Sequence, residues 1–356
     1  MAQAPPVKCA SFSASCPPAQ AQPHILSPRP PFHMCPNIPA GGSNTSPCTA
    51  PPKPAMMGFM TPDILCIGSV LWDIIGRTHV PLAVGGDVPG RITRLPGGVA
   101  LNISITLAKL GLKPALLSAI GRDAAGDDLI AACQRLGLLT QNVYRSDDLP
   151  TDIYMAIEAG QGLIAAIADA HSLEAAGDKI LRPLRDGTLG SAQAPWSGMI
   201  ALDGNLTESL LSDIATSALF ARADLRLAPA SPGKADRLAP LLRHSGATLY
   251  ANLEEARILS GDTSATTAVQ AAEALLARGA GRVLVTNGGS PCAEGRAGQG
   301  VISATPRQVM VHRVTGAGDT FMAAHIVAER RGADRITALN AALRAAADFV
   351  SKEVGS

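Results

Sequence analysis

The chain has no surplus of charge of either sign: 30 Lys and Arg stand against 29 Asp and Glu. A protein whose main partner is nucleic acid needs clustered basic residues to replace counterions on the phosphates, so that class is excluded. Long apolar runs are also missing. A bilayer span needs roughly 18–20 consecutive apolar residues, whereas the longest candidates, such as Leu163 to Ala170, are short and end at charged or polar residues. No membrane partner is expected. The seven cysteines lack the spacing of a zinc site or of a CxxC redox pair. Reduced thiols and a cytoplasmic location are therefore the expectation. No internal repeat recurs, which argues against a solenoid.

What is present falls into two parts. The first 57 residues carry fourteen prolines among Ser, Ala, Gln and Cys, from Pro5 and Pro6 to Pro54, with no hydrophobic periodicity. Such a segment buries too little to offset its ordering entropy and reads as a disordered tail. Cys9, Cys16, Cys35 and Cys48 lie in it. It lacks the basic start and continuous apolar stretch of a secretory signal. Met56, Met57 and Met60 stand just ahead of the first strand-like run, so a genuine tail and a later natural start are both open. Residues 58–356 are expected to form one folded domain.

From Asp63 onward, short apolar runs of the kind that fill buried parallel strands alternate with amphipathic stretches. Ile64 to Val70, Ala115 to Ala119, Met199 to Leu202, Leu225 to Leu227, Thr248 to Tyr250 and Val283 to Thr286 read as strands. Ala100 to Leu110, Leu129 to Leu136, Leu206 to Leu219, Lys234 to His244, Glu254 to Leu259 and Ala265 to Arg278 read as helices. The alternation predicts an α/β fold with a doubly wound, mostly parallel sheet flanked by helices. Two segments break it, about 75–96 and 151–169. The second reads as a hairpin turning at Gly160-Gln161-Gly162. Together the two predict a small β-sheet standing off the main one.

The strongest chemical signal is Val314-Thr315-Gly316-Ala317-Gly318-Asp319-Thr320, followed by the helical run Phe321 to Arg330. Small residues ahead of a helix let backbone N–H groups approach an anion, and the helix dipole adds to the attraction. A carboxylate in that turn suits a general base beside a transferred phosphoryl group. Alone, the turn could equally be a loop with an Asp N-cap. A second signal, Pro96-Gly97-Gly98-Val99-Ala100-Leu101-Asn102, precedes another helix, with Gly111 and Gly121 beyond it.

The spacing Gly-Gly-x-Ala-x-Asn-x-Ser, then Gly111, then Gly121, resembles the N-terminal signature of the ribokinase family, the PfkB carbohydrate kinases. The Gly-Ala-Gly-Asp turn resembles the same family's C-terminal signature. Between them, Asn252-Leu253-Glu254-Glu255 resembles its Asn-x-x-Glu element. The resemblance implies an ATP-dependent phosphotransferase with a hydroxyl acceptor and a β-sheet lid. It implies Asp319 as the base, with the amides of Gly316, Ala317 and Gly318 as the anion hole. Asn252 and Glu255 would organise Mg²⁺ and its waters. Asp73, Gly97, Gly98 and Asn102 would line the substrate pocket, and Thr286, Gly288 and Gly289 a nucleotide loop. A homodimer through the lid is a further implication.

Two positions depart from the pattern. Arg313 stands where the family usually has Asp or Asn, which opposes a monovalent cation nearby. His325 replaces a small or apolar residue, and is expected to be a half-buried helical side chain and not a ligand. Within the family, the sequence is similar to pseudouridine kinases at residues 97–102, 151–157, 162–169 and 201–206. That similarity implies transfer to a ribosyl 5′-hydroxyl, with Thr151 and Tyr154 meeting the base or merely packing the lid. Ribose, fructose and purine nucleosides remain alternative substrates. A silent sugar or nucleoside sensor is disfavoured, because a sensor has no need of Asp319.

Overall fold

The computed structural model describes residues 61–352 apart from 84, 160 and 161. The expectations for residues 1–57 and for the Gly160-Gln161 turn lie outside the described residues. In chain order the strands are β1 (Ile64–Ile67), β2 (Leu71–Arg77), β3 (Arg91–Gly97), β4 (Pro114–Leu117), β5 (Ala119–Gly121), β6 (Tyr144–Ser146) and β7 (Ile153–Ala159). They continue as β8 (Gly162–Asp169), β9 (Met199–Asp203), β10 (Asp224–Ala228), β11 (Ala247–Asn252), β12 (Arg282–Asn287), β13 (Ser290–Arg296) and β14 (Gly300–Ala304). The helices are α1 (Val99–Lys109), α2 (Ala124–Arg135), α3 (His171–Ala176), α4 (Glu208–Thr216), α5 (Leu253–Ser260), α6 (Ala268–Ala277), α7 (Ala317–Arg330) and α8 (Arg335–Val350).

The main sheet has eight strands in the order β14-β13-β12-β11-β10-β9-β1-β4. Pairing is parallel from β4 to β12 and antiparallel from β12 through β14. Strand β1 lies between β4 and β9 and is buried along its whole length, Ile64, Leu65, Cys66 and Ile67 alike, because helices cover both faces. One face packs on α4, α5 and α6 through Leu211, Leu259 and Leu275, and the other on α1, α7 and α8 through Leu101, Phe321 and Leu339. The chain goes from β1 to β4 on one side and then crosses to β9 on the other. In such sheets a crevice opens at the carboxyl ends of the strands where the order reverses, here between β1 and β9.

Several expected elements shift for identifiable reasons. Helix α2 starts five residues earlier than the apolar pattern suggests, because the Asp123 side chain accepts the Gly126 N–H and caps it. The run expected as a helix over Lys234 to His244 is a 3₁₀ segment, Pro232–Leu241, and Pro240 inside it cannot donate to an α-helical ladder. The antiparallel pair β13 and β14 and the last helix α8 were not foreseen. A second sheet, in the order β3-β2-β7-β8, forms from the two irregular segments. It begins at Leu71, earlier than expected, since the chain breaks at Gly68 and re-enters as β2 within three residues.

At the other end of the main sheet, under α7, lies a buried charge network. Arg226 clamps Asp224 with Nε and one terminal nitrogen (2.6 and 2.7 Å), and donates with the other to Glu329 (2.6 Å) and to the Tyr250 hydroxyl (2.9 Å). Arg282 pairs with Glu294 (2.7 Å) and Glu329 (2.6 Å). His325 is fully buried, not half-buried as expected, with Nδ1 against the Tyr250 hydroxyl at 2.9 Å. Burial pushes the His325 pKa down to about 3, so the ring is neutral at physiological pH. The two guanidinium groups hold the Glu329 carboxyl at about 2, against its own desolvation. Removing one partner of a buried pair leaves an uncompensated charge, at a cost of about 3–5 kcal/mol. Glu329→Ala is therefore expected to lower the urea unfolding midpoint steeply, and Glu329→Gln, which keeps an acceptor, to lower it less.

Candidate active site

The crevice between β1 and β9 is organised by one carboxylate. Asp203 ends β9 with no exposed surface and accepts from the Ser69 N–H (2.8 Å), the Ser69 hydroxyl (3.1 Å), the Ala100 N–H (3.0 Å) and the Asn205 N–H (2.8 Å). It thereby ties the exit of β1 to the start of α1. Ser69 extends the knot, since its Oγ accepts from the Val99 N–H (2.8 Å) and from Asn205 Nδ2 (2.9 Å). A Cβ on Gly68, at φ 147°, would lie 2.3 Å from the Asp203 carboxylate, so only glycine lets the strand exit pass so close. Asp203 lies within residues 201–206, and the sequence alone implied no role for it. Its signal was present as an apolar strand run ending in an acidic residue beside a glycine.

The knot points α1 at α7. Both helices begin at glycine, Gly98 and Gly316, and their first turns meet where Asn102 Nδ2 donates to Asp319 Oδ2 at 3.0 Å. Asp319 is set among protein atoms yet keeps part of its surface open. Burial is the main cause that pushes its pKa up to about 7; the charges of Asp203, Glu255 and Asp73 push the same way, and only the Asn102 bond opposes them. That places the proton affinity of Asp319 where a general base works best at neutral pH.

The glycine-lined mouth of α7 leaves two of the three expected amides free. Ala317 N–H donates to Val314 O at 3.0 Å and closes the turn, which corrects its assignment to the anion hole. The Gly316 and Gly318 amides carry no backbone partner among the described residues, and a Cβ on Gly318 would meet nothing within 4 Å. An oxyanion can approach there. Arg313 lies 3.7 Å over the Phe349 ring and donates through Nε to Phe349 O (3.0 Å), so its charge rests on the carboxyl end of α8.

Among the residues expected to line the substrate pocket, Asp73 pairs in register with Leu95 and leans over Gly97, where any Cβ would lie 2.0 Å from the carboxylate. Burial raises the Asp73 pKa to about 6. Tyr154 is its register partner on β7, and burial followed by the Asp73 charge raises the phenol pKa. Thr151 behaves differently. It is buried, and its hydroxyl and N–H both go to the Asp123 carboxylate (2.6 and 2.8 Å). It is a pin for the start of α2, and the expected contact with a base gives way to that role. Gly98 packs against Ser69 O.

The residues expected to meet nucleotide and metal gather at the same edge. Asn252 ends β11 and stands in register with Thr286 on β12. Gly288 and Gly289 form the tight turn between β12 and β13. Asn252 and Glu255 form a capping box: Asn252 Oδ1 accepts the Glu255 N–H, and Glu255 Oε2 accepts the Asn252 N–H, both at 2.9 Å. No cluster of three metal-binding side chains occurs among the described residues. Glu255 Oε1 is left over, near enough to Asp319 for its charge to be felt there together with those of Asp203 and Asp73. That donor set fits a hydrated divalent ion held through its waters and not one stripped of them.

The pfkB family carbohydrate kinase profile matches residues 61–355. The chain belongs to that family. It is 29% identical over 275 residues to a pseudouridine kinase of Escherichia coli (strain K12), covering 73% of this chain and 81% of that protein. It is 27% identical over 268 residues to a ribokinase of Mus musculus, covering 73% and 80%. The structure of an Arabidopsis thaliana ribokinase complexed with ribose and ATP superposes with a TM-score of 0.66 at 23% identity, covering 83% of this chain and 94% of that one. The fold is thus that of the ribokinase-like kinases, and the chain is a carbohydrate or nucleoside kinase of the pfkB family.

Because the folded-state pKa of Asp319 lies above the usual 3.8, its stabilising contribution is full in acid and is lost as pH rises towards 7. Asp319→Asn, which removes the charge, is expected to raise the melting temperature at pH 8 by about 2–4 °C, some 1 kcal/mol, and to change it little at pH 4. Paired thermal unfolding curves at the two pH values check this.

Proposed function

We propose that the chain transfers the γ-phosphate of ATP to the 5′-hydroxyl of pseudouridine, giving pseudouridine 5′-phosphate. The observation that carries the chemistry is the Asp319 carboxylate at the mouth of α7, held by Asn102 with a pKa of about 7. Asp319 takes the proton of the acceptor hydroxyl as its oxygen bonds to the γ-phosphorus, and the bond to the β–γ bridging oxygen breaks to release ADP. The Gly316 and Gly318 amides face the phosphoryl oxygens. Mg²⁺, held through water by Glu255 and Asn252, would neutralise phosphate charge. Thr286, Gly288 and Gly289 border the nucleotide.

The choice of pseudouridine rests on likeness to the bacterial pseudouridine kinase and to that group at residues 151–157 and 162–169, which build β7 and β8 of the small sheet. In this reading the small sheet is a lid. Asp73 bonds ribose hydroxyls and Tyr154 meets the base, while closure excludes water. The decisive experiment measures ADP release with pseudouridine, uridine, ribose, fructose and adenosine side by side. Pseudouridine is expected to give the highest kcat/KM, and a tenfold preference for ribose would overturn the substrate. Asp319→Asn is expected to lose turnover by at least about 10³-fold with nucleoside binding retained. The wild-type rate should rise with pH and level off above about 7, since only the ionised carboxylate accepts the proton.

The lid also supports pairing of two copies. Strand β8 is exposed along its length, with Leu163 at 60% and Ile167 at 70%. It is an edge strand, so its outer backbone groups are unpaired as well. Two lids that cover each other would remove this apolar surface from water. Sedimentation is expected to show a dimer for the wild type and a monomer for Leu163→Glu/Ile167→Glu; an unchanged sedimentation coefficient would place the interface elsewhere.

A further inference from the structure

The amino ends of β10, β11 and β12 lie at the edge of the main sheet opposite the candidate active site. There an open depression of about 390 Å³ is lined by Arg222, Asp224, Gly281, Arg282, Arg296 and the Ser245–Thr248 segment. None of the three family motifs reaches it. Its charge is unbalanced. Arg222, Arg226, Arg282, Arg296 and Arg335 gather around Asp224, Glu294 and Glu329, five guanidinium groups against three carboxylates, with a neutral histidine behind them.

The carboxylates are already committed. Both Asp224 oxygens accept from Arg226, which turns away from the depression towards Tyr250 and Glu329. Glu294 is fully buried, and its Oε1 is shared among Arg282, Arg296 and Arg335. Arg222 has no carboxylate partner among the described residues. Arg296 holds Glu294 by one long contact of 3.5 Å, and its buried Nε has no partner at all. The guanidinium of Arg222 and the unbonded Nη1 groups of Arg282 and Arg296 are therefore the donors left in the lining of a space that has surplus positive charge.

We infer that this depression is a binding site for a small phosphorylated molecule, distinct from the kinase site. Guanidinium groups match phosphate oxygens two at a time, as Arg222 can; Arg282 is held rigid through Nε and Nη2 by Glu294 and Glu329 and adds its remaining Nη1, so little order is lost on binding. The volume suits a pyrophosphate or a sugar phosphate. No aromatic or large apolar side chain lines the walls, so nothing is available to stack a nucleobase. The wall is also open at Gly281, where a Cβ would meet nothing within 4 Å.

The test is calorimetric titration of the full chain with inorganic pyrophosphate at constant ionic strength, with the kinase site filled by a saturating non-hydrolysable ATP analogue. One equivalent of pyrophosphate is expected to bind the wild type. Arg222→Ala/Arg296→Ala is expected to bind it at least tenfold more weakly. Because Arg296 contacts a buried carboxylate, a second variant guards against misfolding: Gly281→Glu sets a carboxylate in open space and should weaken binding as much, with the melting temperature and the affinity for the ATP analogue unchanged. The inference is overturned if the wild type takes up no pyrophosphate beyond the kinase site, or if Gly281→Glu binds it within twofold of wild type. Absence of kinase turnover would bear on the proposed function alone, since this experiment reads binding.

Discussion

A carboxylate with no access to water must find its hydrogen bonds inside the protein, and in this chain that demand shapes the crevice. Asp203 draws in the amides of Ser69, Ala100 and Asn205 and the Ser69 hydroxyl. Those bonds fix where β1 ends, where α1 begins and how the β9 loop turns. The crevice at the reversal of strand order is thus a rigid corner and not merely a gap between loops. Everything downstream inherits its geometry: α1 brings Asn102 to Asp319, and β2 leaves the same corner to place Asp73.

The corner also concentrates negative charge. Asp203, Asp73, Glu255 and Asp319 all have pKa values raised chiefly by burial, and Asp319 feels the other three as well. Four carboxylates would be a liability in a protein that merely needed to fold. Here burial first, with the repulsion added to it, raises the Asp319 pKa to about 7, which suits the proton-accepting role proposed for it. The repulsion also leaves a region that a cation accompanying triphosphate would relieve. Destabilisation of the free protein and readiness for the reaction share one electrostatic origin.

Much of this was legible in the residues. The parallel strands announced themselves as short apolar runs, because strands covered on both faces have no polar side to show. Asp319, Asn102 and Asp73 were named from motif spacing, and the structure brings Asn102 and Asp319 into contact and sets Asp73 close enough for its charge to be felt. What escaped was non-local. The role of Thr151 depends on an aspartate 28 residues away, and the Asp203 knot joins residues 134 and 103 positions apart. Helix α8 escaped because its alanines blur the polar–apolar alternation. His325 was read as ordinary, yet Tyr250 and Arg282 form its polar socket from two different strands.

Near-equal identity to a pseudouridine kinase and to a ribokinase is what the proposed function would give if the fold divides its labour between the two sheets. The base, the helix mouths and the capping box sit on the main sheet, and phosphoryl transfer to any primary hydroxyl makes the same demands on them. In the proposed function, selection among acceptors would fall to the face of the small sheet that carries Asp73 and Tyr154, paired across β2 and β7. A ribose gives Asp73 the same hydroxyls whatever is attached to its anomeric carbon. Discrimination then depends on what lies beyond the sugar, where Tyr154 stands beside Asp73 with an un-ionised phenol. A phenol that keeps its proton can donate to a uracil carbonyl, and that gain is available only when a base is present. A free sugar would leave the same hydroxyl unsatisfied, and an unpaired polar group in a closed site carries a penalty. Few side chains therefore need to differ for two relatives of equal overall similarity to act on different substrates.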